Sequence, residues 1–346
     1  MQPLEAHSIK TNAIKANSIK ANAMENTNEQ SRPLSWVAVD WGSSNLRAWG
    51  MDHQNHIIAQ GTSDKGMLSL KPDEYEAELL RLVSPWLPAS GQVIVMVCGM
   101  AGARQGWQEA AYLPVPTPLG QLSQGAVLPT LAGNKLRVYL LPGLSQTRSD
   151  SRHFDVMRGE ETQLAGLVAD TPEFSGLVCL PGTHAKWATL DAGAVTQFTT
   201  YLTGELYQLL ANQSVLKHSI GSDELNDPAC RAAFIGAVSE VNAAPETFSS
   251  RLFGLRAQDL LDGELAVGKT RGAVLAARLS GLAIGLELSG ACQSHPRDKP
   301  ITLIGNQALC QRYTMALDAI GYQTHYLDGD TAVLAGLRLA HQALPH

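Results

Sequence analysis

The sequence is poor in charge, which limits what the protein can bind. Asp, Glu, Lys and Arg make up 17% of its 346 residues, and the net charge is −6, whereas ordinary globular domains carry about 25% charged residues. Such a composition does not make the basic surface that binds nucleic acid or an anionic membrane. The sequence therefore predicts neither partner, and a small anionic ligand would need local hydrogen-bond donors.

Cysteine pairs of the kind that bind metal are also missing. The chain has five widely spaced cysteines, with no CxxC pair and no Cys/His cluster of the zinc type. This spacing is typical of reduced thiols in a cytoplasmic protein, so we expect a cytoplasmic location. We expect most of these cysteines to be small core residues.

Long apolar runs are absent too. None reaches the ~20 residues of a membrane span, and the N-terminus lacks the apolar core of a signal peptide. Residues 8–22 instead repeat a five-residue unit containing one Ile and one Asn. We interpret residues 1–33 as a low-complexity, disordered extension, with a helical partner-binding arm as the alternative.

Apolar residues nevertheless make up 45% of the chain, enough for a large core. The length suggests two domains of about 150 residues each, and we place them at 34–174 and 175–346. Continuous apolar runs predict buried strands, and apolar periodicity predicts helices, with a polar loop over 142–158. The strands are expected at 92–98, 136–141, 176–180 and 301–304, and the helices at 73–86, 159–168, 204–213, 229–239, 247–261, 271–291, 307–320 and 329–343.

One device occurs twice: an apolar strand enters a polar turn and a second strand leaves it. In the first copy, Asp40 precedes a turn of Gly42, Ser43, Ser44 and Asn45. Phosphate oxygens bind to free N–H groups and hydroxyls of this kind, and Mg²⁺ bridging the phosphates binds a carboxylate such as Asp40. The alternative is an ordinary hairpin in which Asp40 and the serines only cap the turn.

The second copy runs from Leu180 to Trp187, about 140 residues later. Gly182 and Thr183 would approach the same phosphates, and Lys186 would help to neutralise them. His184 lies in this turn without a metal partner in the sequence, which favours a hydrogen-bonding role. Two such turns predict an α/β protein with two related halves around a cleft.

Five strings, in this order, resemble the 2-dehydro-3-deoxygalactonokinase family of the acetate and sugar kinase/heat-shock ATPase/actin superfamily. They are DWGSSNLRAW, CGMAGARQGWQEA, DVMRGEETQLAG, LPGTHAKW and TGELYQLL. The resemblance covers the chain from about residue 34 onwards. It implies a two-lobed actin-like, ribonuclease H-like ATPase fold with a nucleotide cleft between the lobes.

The same resemblance implies an activity. An ATP- and Mg²⁺-dependent kinase of this family would phosphorylate 2-dehydro-3-deoxy-D-galactonate at its 6-hydroxyl, a step in galactonate breakdown. Gly305 and Asn306 would then contact adenosine, although Gly305 is also typical of a tight strand-to-helix turn. One residue departs from the wider superfamily, since Leu180 stands where its second phosphate motif usually has Asp.

The proton acceptor for the attacking hydroxyl is less well defined. The resemblance favours Glu160 at the start of a helix, with Asp155 and Glu161 as competitors. Related kinases mostly have Asp at this position, and an acidic residue in the first turn also simply stabilises a helix.

Arginine side chains suit the carboxylate of a sugar acid. Arg104 and Arg158 are our candidates, and Trp107 would stack on the carbon chain or else pack inside the fold. Arg47 would contact phosphate or substrate, with a structural salt bridge as the alternative. Asp330 is expected to cap the last helix.

Three other functions stay open at the level of sequence: a kinase for another 2-keto-3-deoxy sugar acid, such as the gluconate epimer; a non-catalytic sugar-acid or nucleotide sensor; and a general ATPase or phosphatase, against which Leu180 argues. The partners implied are the sugar acid and ATP, and a homo-oligomer is left open.

Overall fold

The computed structural model describes residues 32–148, 153–222, 225–263 and 268–344. The predicted extension lies outside the described residues as far as residue 31. The strands are β1 (Trp36–Trp41), β2 (Leu46–Met51), β3 (Ile57–Ser63), β4 (Val93–Gly99), β5 (Tyr112–Pro114), β6 (Thr117–Pro118), β7 (Leu136–Leu140), β8 (Gly143–Arg148), β9 (His153–Met157), β10 (Gly176–Leu180), β11 (Ala185–Asp191), β12 (Ala194–Tyr201), β13 (Ile301–Gly305) and β14 (Thr324–Asp328). The α-helices are α1 (Tyr75–Val83), α2 (Glu160–Asp170), α3 (Thr203–Gln213), α4 (Pro228–Ala243), α5 (Phe248–Leu261), α6 (Lys269–Ala291), α7 (Gln307–Ala319) and α8 (Gly329–Gln342).

Two sheets repeat one topology. The first has the order β3-β2-β1-β4-β7 and the second the order β12-β11-β10-β13-β14, with β6 added beside β12. In each, the first three strands of the repeat are antiparallel neighbours and the last two are parallel to the first. This duplicated order is the actin-like, ribonuclease H-like arrangement, so the predicted fold class is confirmed. The domain boundary at 174/175 stays a prediction.

β4 shows why a buried strand has a continuous apolar sequence. Val95 and Val97 pack on one side with α1, whereas Met96 and Cys98 pack on the other with α8. Because both faces are covered, the alternation of polar and apolar residues disappears. The same reasoning predicted β7, β10 and β13 within one residue of their observed limits.

Helices α2 and α8 cross at very short range. A Cβ atom on Gly166 would overlap the carbonyl of Ala332, and one on Gly336 would overlap the carbonyl of Thr162. The last helix thus follows β14 of the second sheet, yet packs Val333 and Leu337 against the first. This crossing brings the start of α2, which carries Glu160, close to the turns that follow β1 and β10.

α6 is the only described helix that is long and apolar enough to cross a membrane by length and composition, but 78% of its apolar window is buried within the protein. It packs against α4 and the second sheet as a core helix. All five cysteines are buried, as expected for core residues.

The predicted loop over 142–158 is wrong for residues 143–148 and 153–157, which form strands, and residues 149–152 lie outside the described residues. β8 and β9 pair antiparallel and, with β5, form a third sheet. One polar residue of this sheet is buried: Gln146 in β8 bonds to the backbone of Phe198 in β12 through both its amide nitrogen and its amide oxygen, at 2.8 and 2.9 Å. β14 was not predicted either, since most of its side chains are exposed or half-exposed.

Candidate active site

The first polar turn joins β1 to β2 and is supported from behind. Gly42 N–H donates to the Asn45 carbonyl at 2.9 Å, and the Gly42 and Ser43 carbonyls accept from Met67 and Leu68 N–H at 3.0 Å each. A Cβ atom on Gly66 would overlap the backbone of Ser43. The carbonyls of the turn are therefore bound to the segment beneath it, and Ser43, Ser44 and Asn45 are exposed.

The second polar turn joins β10 to β11, and helix α3 supports it. Glu205 N–H donates to the Thr183 carbonyl at 3.1 Å. A Cβ atom on Gly204 would lie 2.6 Å from the Gly182 carbonyl oxygen, so only glycine allows this packing. His184 Nε2 lies 2.6 Å from Glu205 Oε2, and both side chains are about half exposed.

A cavity of about 410 Å³ lies between the two turns. Residues of both sheets line it: Asp40, Gly42, Ser43, Gly99, Met100, Arg158, Gly159, Glu160, Gln163, Leu180, Pro181, Gly182, Thr183, His184, Ile304, Gly305 and Asn306. The structure thus brings together the two turns, Glu160, Arg158 and the Gly305-Asn306 pair, as the sequence predicts for one shared site.

A second cavity, of about 700 Å³, continues from Pro181, Gly182, Thr183 and Asn306. Its walls combine apolar and polar side chains: Thr203, Tyr207, Gln208, Ser280, Ala283, Ile284, Ala308, Leu309, Arg312 and Tyr313. An apolar cavity with a few polar groups, next to a turn suited to phosphate, has the character of a nucleoside site.

Asp40 is held by a chain of charges. Arg47 Nη2 lies 2.6 Å from Asp40 Oδ2, and Arg47 Nη1 pairs with Asp330 at the start of α8. Burial lowers the pKa of Arg47, but the hydrogen bonds to the two carboxylates outweigh it and hold the pKa above its usual value. The salt-bridge alternative for Arg47 is therefore present, and its contact with substrate stays a prediction.

The predicted cap of the last helix is wrong. Asp328 accepts from Thr331 N–H at 2.9 Å and caps α8, whereas Asp330 lies in the first turn and pairs with Arg47. The sequence offers two Asp residues two positions apart, and the end of β14 at Asp328 decides which one becomes the cap.

Of the three carboxylates considered as base, Glu160 alone lines the cavity between the turns. It is half-buried, and Arg158 N–H donates to its Oε2 at 3.1 Å. Burial raises the pKa of Glu160, and the charge of Lys186 counteracts this in part. A carboxylate with a raised pKa facing a cavity has the character of a general base.

The other two candidate bases, Glu161 and Asp155, both accept hydrogen bonds from within the protein. Glu161 is fully buried and accepts from Gly159 N–H at 2.7 Å. Burial, followed by the neighbouring Glu160 charge, raises the pKa of Glu161 to about 8. Asp155 accepts from Thr200 N–H and Oγ1 at 2.7 and 2.6 Å, which holds β9 against β12. The geometry favours Glu160, and its role stays a prediction.

Other predicted contacts lie outside the lining of this cavity. Lys186 is buried and donates to Thr200 Oγ1 at 2.8 Å, Arg104 is exposed beside Glu109, and Trp107 packs with Trp41 and Tyr75. Their roles towards phosphate or substrate stay predictions, as do those of Ser44 and Asn45.

Arg158, by contrast, donates to the Ala110 carbonyl at 2.6 Å and lines the cavity. Asn306 lines it too and also caps α7 by accepting from Ala308 and Leu309 N–H at 3.0 and 3.3 Å.

The sequence analysis assigned no role to Gly99, which directly follows the strand predicted at 92–98. Gly99 has a φ of +87°, and a Cβ atom on it would lie 2.7 Å from the Trp41 carbonyl oxygen and 3.4 Å from Asp40 Oδ1. This glycine lets β4 end directly beside Asp40. Its position after a buried strand was the signal that could have identified it.

Within the part of the chain that the structure describes, no three His, Cys, Asp or Glu side chains are grouped to hold a metal ion. A single carboxylate is nevertheless sufficient for a Mg²⁺ ion whose other ligands are water and phosphate. Asp40 at the edge of the cavity fits that requirement.

A duplicated actin-like fold with two polar turns on one cavity is the architecture of ATPases and ATP-dependent phosphotransferases. Comparison with known proteins specifies it further, because the family model described as 2-keto-3-deoxy-galactonokinase matches residues 40–340. The chain belongs to this family, and the resemblance drawn from its sequence is confirmed.

Individual relatives agree. The Rhizobium meliloti (strain 1021) protein named Probable 2-dehydro-3-deoxygalactonokinase DgoK1 is 38% identical over 89% of this chain and 97% of its own length. The 2-dehydro-3-deoxygalactonokinase of Escherichia coli (strain K12) is 33% identical over 88% and 97%. A crystal structure from Sinorhizobium meliloti, described as a 2-dehydro-3-deoxygalactonokinase protein, has a TM-score of 0.80 at 36% identity and covers 89% of this chain and 98% of its own.

Proposed function

We propose that this protein transfers the γ-phosphoryl group of ATP to the 6-hydroxyl of 2-dehydro-3-deoxy-D-galactonate, giving the 6-phosphate and ADP, in cytoplasmic D-galactonate breakdown. One observation carries the proposal: both polar turns and Glu160 line a single cavity that continues into a second, partly apolar one. The family relationship supports the choice of substrate.

Most of the catalysis in this scheme is positioning and charge neutralisation. Backbone N–H groups and hydroxyls of Ser43, Gly182 and Thr183 would bind the phosphates, and Gly42 would let the first turn come close to them. The ~700 Å³ cavity would hold the nucleoside. Mg²⁺ neutralises phosphate charge when bound, and Asp40 is the residue that would hold it.

Glu160 would accept the proton of the 6-hydroxyl as the oxygen forms its bond to the γ-phosphorus. The bond between that phosphorus and the bridging oxygen breaks, and ADP keeps the electron pair. Arg158, which lines the same cavity, would orient the substrate carboxylate. Glu160 begins α2 and Arg158 lies two residues before it. The packing of α2 against α8 would therefore set the distance of both residues from the turns.

A coupled assay of ADP release tests the proposal. The purified protein is given Mg·ATP with 2-dehydro-3-deoxy-D-galactonate, with its gluconate epimer, or with no acceptor. We expect turnover with the galactonate compound and little ADP without acceptor. Activity with the gluconate epimer alone would overturn the substrate. ATP hydrolysis without any acceptor, or binding without turnover, would overturn the kinase assignment.

A further inference from the structure

The nucleotide side of the site has a buried carboxylate behind it that the proposed reaction does not use. Glu287 is the only acidic residue of α6, and it is 2% exposed. Trp187 Nε1 donates to its Oε1 at 2.6 Å, and the Tyr313 hydroxyl donates to its Oε2 at 2.8 Å. The hydroxyl of Thr203 is its third donor.

Each of these three donors belongs to an element that builds the second turn or its cavity. Trp187 lies in β11, the strand that leaves the turn. Thr203 begins α3 and directly precedes Gly204, which packs on the Gly182 carbonyl. Tyr313 lies in α7, the helix that Asn306 caps. Thr203 and Tyr313 also line the ~700 Å³ cavity.

We propose that Glu287 is a positioning residue that fixes β11, α3 and α7 relative to one another, and thereby sets the affinity of the second turn and its cavity for Mg·ATP. The proposal rests on the proposed function, because it takes the ligand of this cavity to be the nucleotide. Glu287 itself lies behind the walls of the cavity and acts through Thr203, Tyr313 and Trp187.

A purely structural role is the alternative, and Glu78 shows what such a role looks like. Glu78 is 4% exposed and accepts from Ser63 and Arg81, with Lys65 3.5 Å away. Its charge is thus compensated by two cations, and neither it nor any of these partners lines either cavity of the site. Glu287 is bound by three neutral donors, and burial raises its pKa to about 7.

A buried carboxylate with neutral partners only is costly to keep. An apolar residue would fill the same place in α6 at lower cost to folding, but it would leave the Trp187 N–H and two hydroxyls without an acceptor. The buried position of Glu287 is therefore explained by its three donors, because a single carboxylate orients all three side chains.

The test compares Glu287→Gln with Glu78→Gln in the full-length protein. Binding of a non-hydrolysable Mg·ATP analogue is measured by calorimetry, and KM for ATP and for the sugar acid by the coupled assay. Loss of a charge-assisted buried hydrogen bond predicts that Glu287→Gln raises the Kd for the analogue and the KM for ATP about tenfold. In the same variant, the KM for the sugar acid should change by less than about twofold, because the proposal places the effect on the nucleotide cavity.

Glu78→Gln should lower the melting temperature without changing any of these constants. If Glu287→Gln does not fold, Tyr313→Phe takes its place in the test. It removes one donor to Glu287 and keeps the ring, and it should also raise the Kd for the analogue. Unchanged nucleotide affinity in both Glu287→Gln and Tyr313→Phe, or an equal change in Glu78→Gln, would overturn the inference. Failure of the unmodified protein to bind the analogue would instead overturn the proposed function, and this inference with it.

Discussion

The two polar turns occupy equivalent places in two sheets of the same topology, yet they are stabilised differently. The first turn is next to charge: Asp40 faces Arg47 across β1 and β2, and Arg47 continues to Asp330. The second is preceded by Leu180, which is 3% exposed and packs in an apolar cluster. Its support comes from α3 and, through Thr203 and Trp187, from the buried Glu287.

This difference indicates a division of labour between the duplicated halves. Of the carboxylates beside the two turns, only Asp40 lines the cavity; Glu205, beside the second turn, pairs with His184 and is not part of the lining. A metal ion would therefore be oriented from the side of Asp40. The second turn offers amides and hydroxyls. Such donors stabilise a developing charge best when the protein holds them in a fixed position. Leu180 thus leaves the second turn without a preceding carboxylate, but with the amides and hydroxyls that the proposed phosphate site needs.

The largest expected effect comes from the residue that faces both turns. Glu160→Gln should reduce kcat by about 10²- to 10⁴-fold, because the hydroxyl loses its proton acceptor. Binding of the ATP analogue should stay nearly unchanged, since neither turn is altered. Normal turnover in this variant, together with loss in Asp155→Asn, would move the base to Asp155.

Asp40→Asn tests the charged turn directly. We expect a fall in kcat/KM of about 10²-fold, because charge stabilisation at the phosphates is lost, and a higher Mg²⁺ concentration for half-maximal rate. Leu180→Met, the matched change at the second turn, keeps volume and should alter kcat/KM by less than about threefold. Equal losses in the two variants would contradict the division of labour.

Gly204→Ala tests the second turn. Its Cβ would lie 2.6 Å from the Gly182 carbonyl oxygen, and relief of such overpacking should raise KM for ATP about tenfold. Gly236→Ala in α4 is the control, since a Cβ there meets nothing within 4 Å. That variant should keep its kinetics and gain up to about 1 kcal/mol of stability. An unchanged KM for ATP in Gly204→Ala would show that α3 does not position the turn.

The smallest effect concerns stability beside the site. The folded protein keeps a proton on Glu161 up to about pH 8, whereas the unfolded chain releases it near its ordinary pKa of 4.5. The free energy of unfolding should therefore fall as pH rises from 4.5 to 8, by on the order of 1–3 kcal/mol. Glu161→Gln has no such proton, so urea unfolding at pH 5 to 8 should show a flatter dependence. Parallel curves would contradict the raised pKa.

Much of the fold could be predicted because buried strands and helices have a recognisable pattern of apolar residues in the sequence. β4 and β10 are continuous apolar runs, and the apolar periodicity of α3 and α7 gave their limits within one residue. β9 and β14 were missed because each is only five residues long and has no continuous apolar run, and because apolar side chains such as Phe154, Val156 and Tyr326 are exposed. Hydrogen bonding to a neighbouring strand, which the sequence does not display, holds them in place.

In the site, the turns were predictable because their glycines and hydroxyls are contiguous in sequence. The pairing of Arg47 with Asp330 was not, since it joins residues 283 positions apart. Glu287 could have been noticed in the sequence, because it is the single acidic residue of a long, largely apolar helix. Its partners come from three other elements, and only the assembled fold shows them.

The proposed reaction requires both turns to bind one triphosphate, and a crystal structure with a non-hydrolysable Mg·ATP analogue and the sugar acid tests this most directly. It should place the γ-phosphate within hydrogen-bond distance, about 3 Å, of both the Gly42–Asn45 turn and Gly182–Thr183. The 6-hydroxyl should lie equally close to Glu160. A nucleotide bound to one turn only, or outside this cavity, would contradict a shared phosphate site.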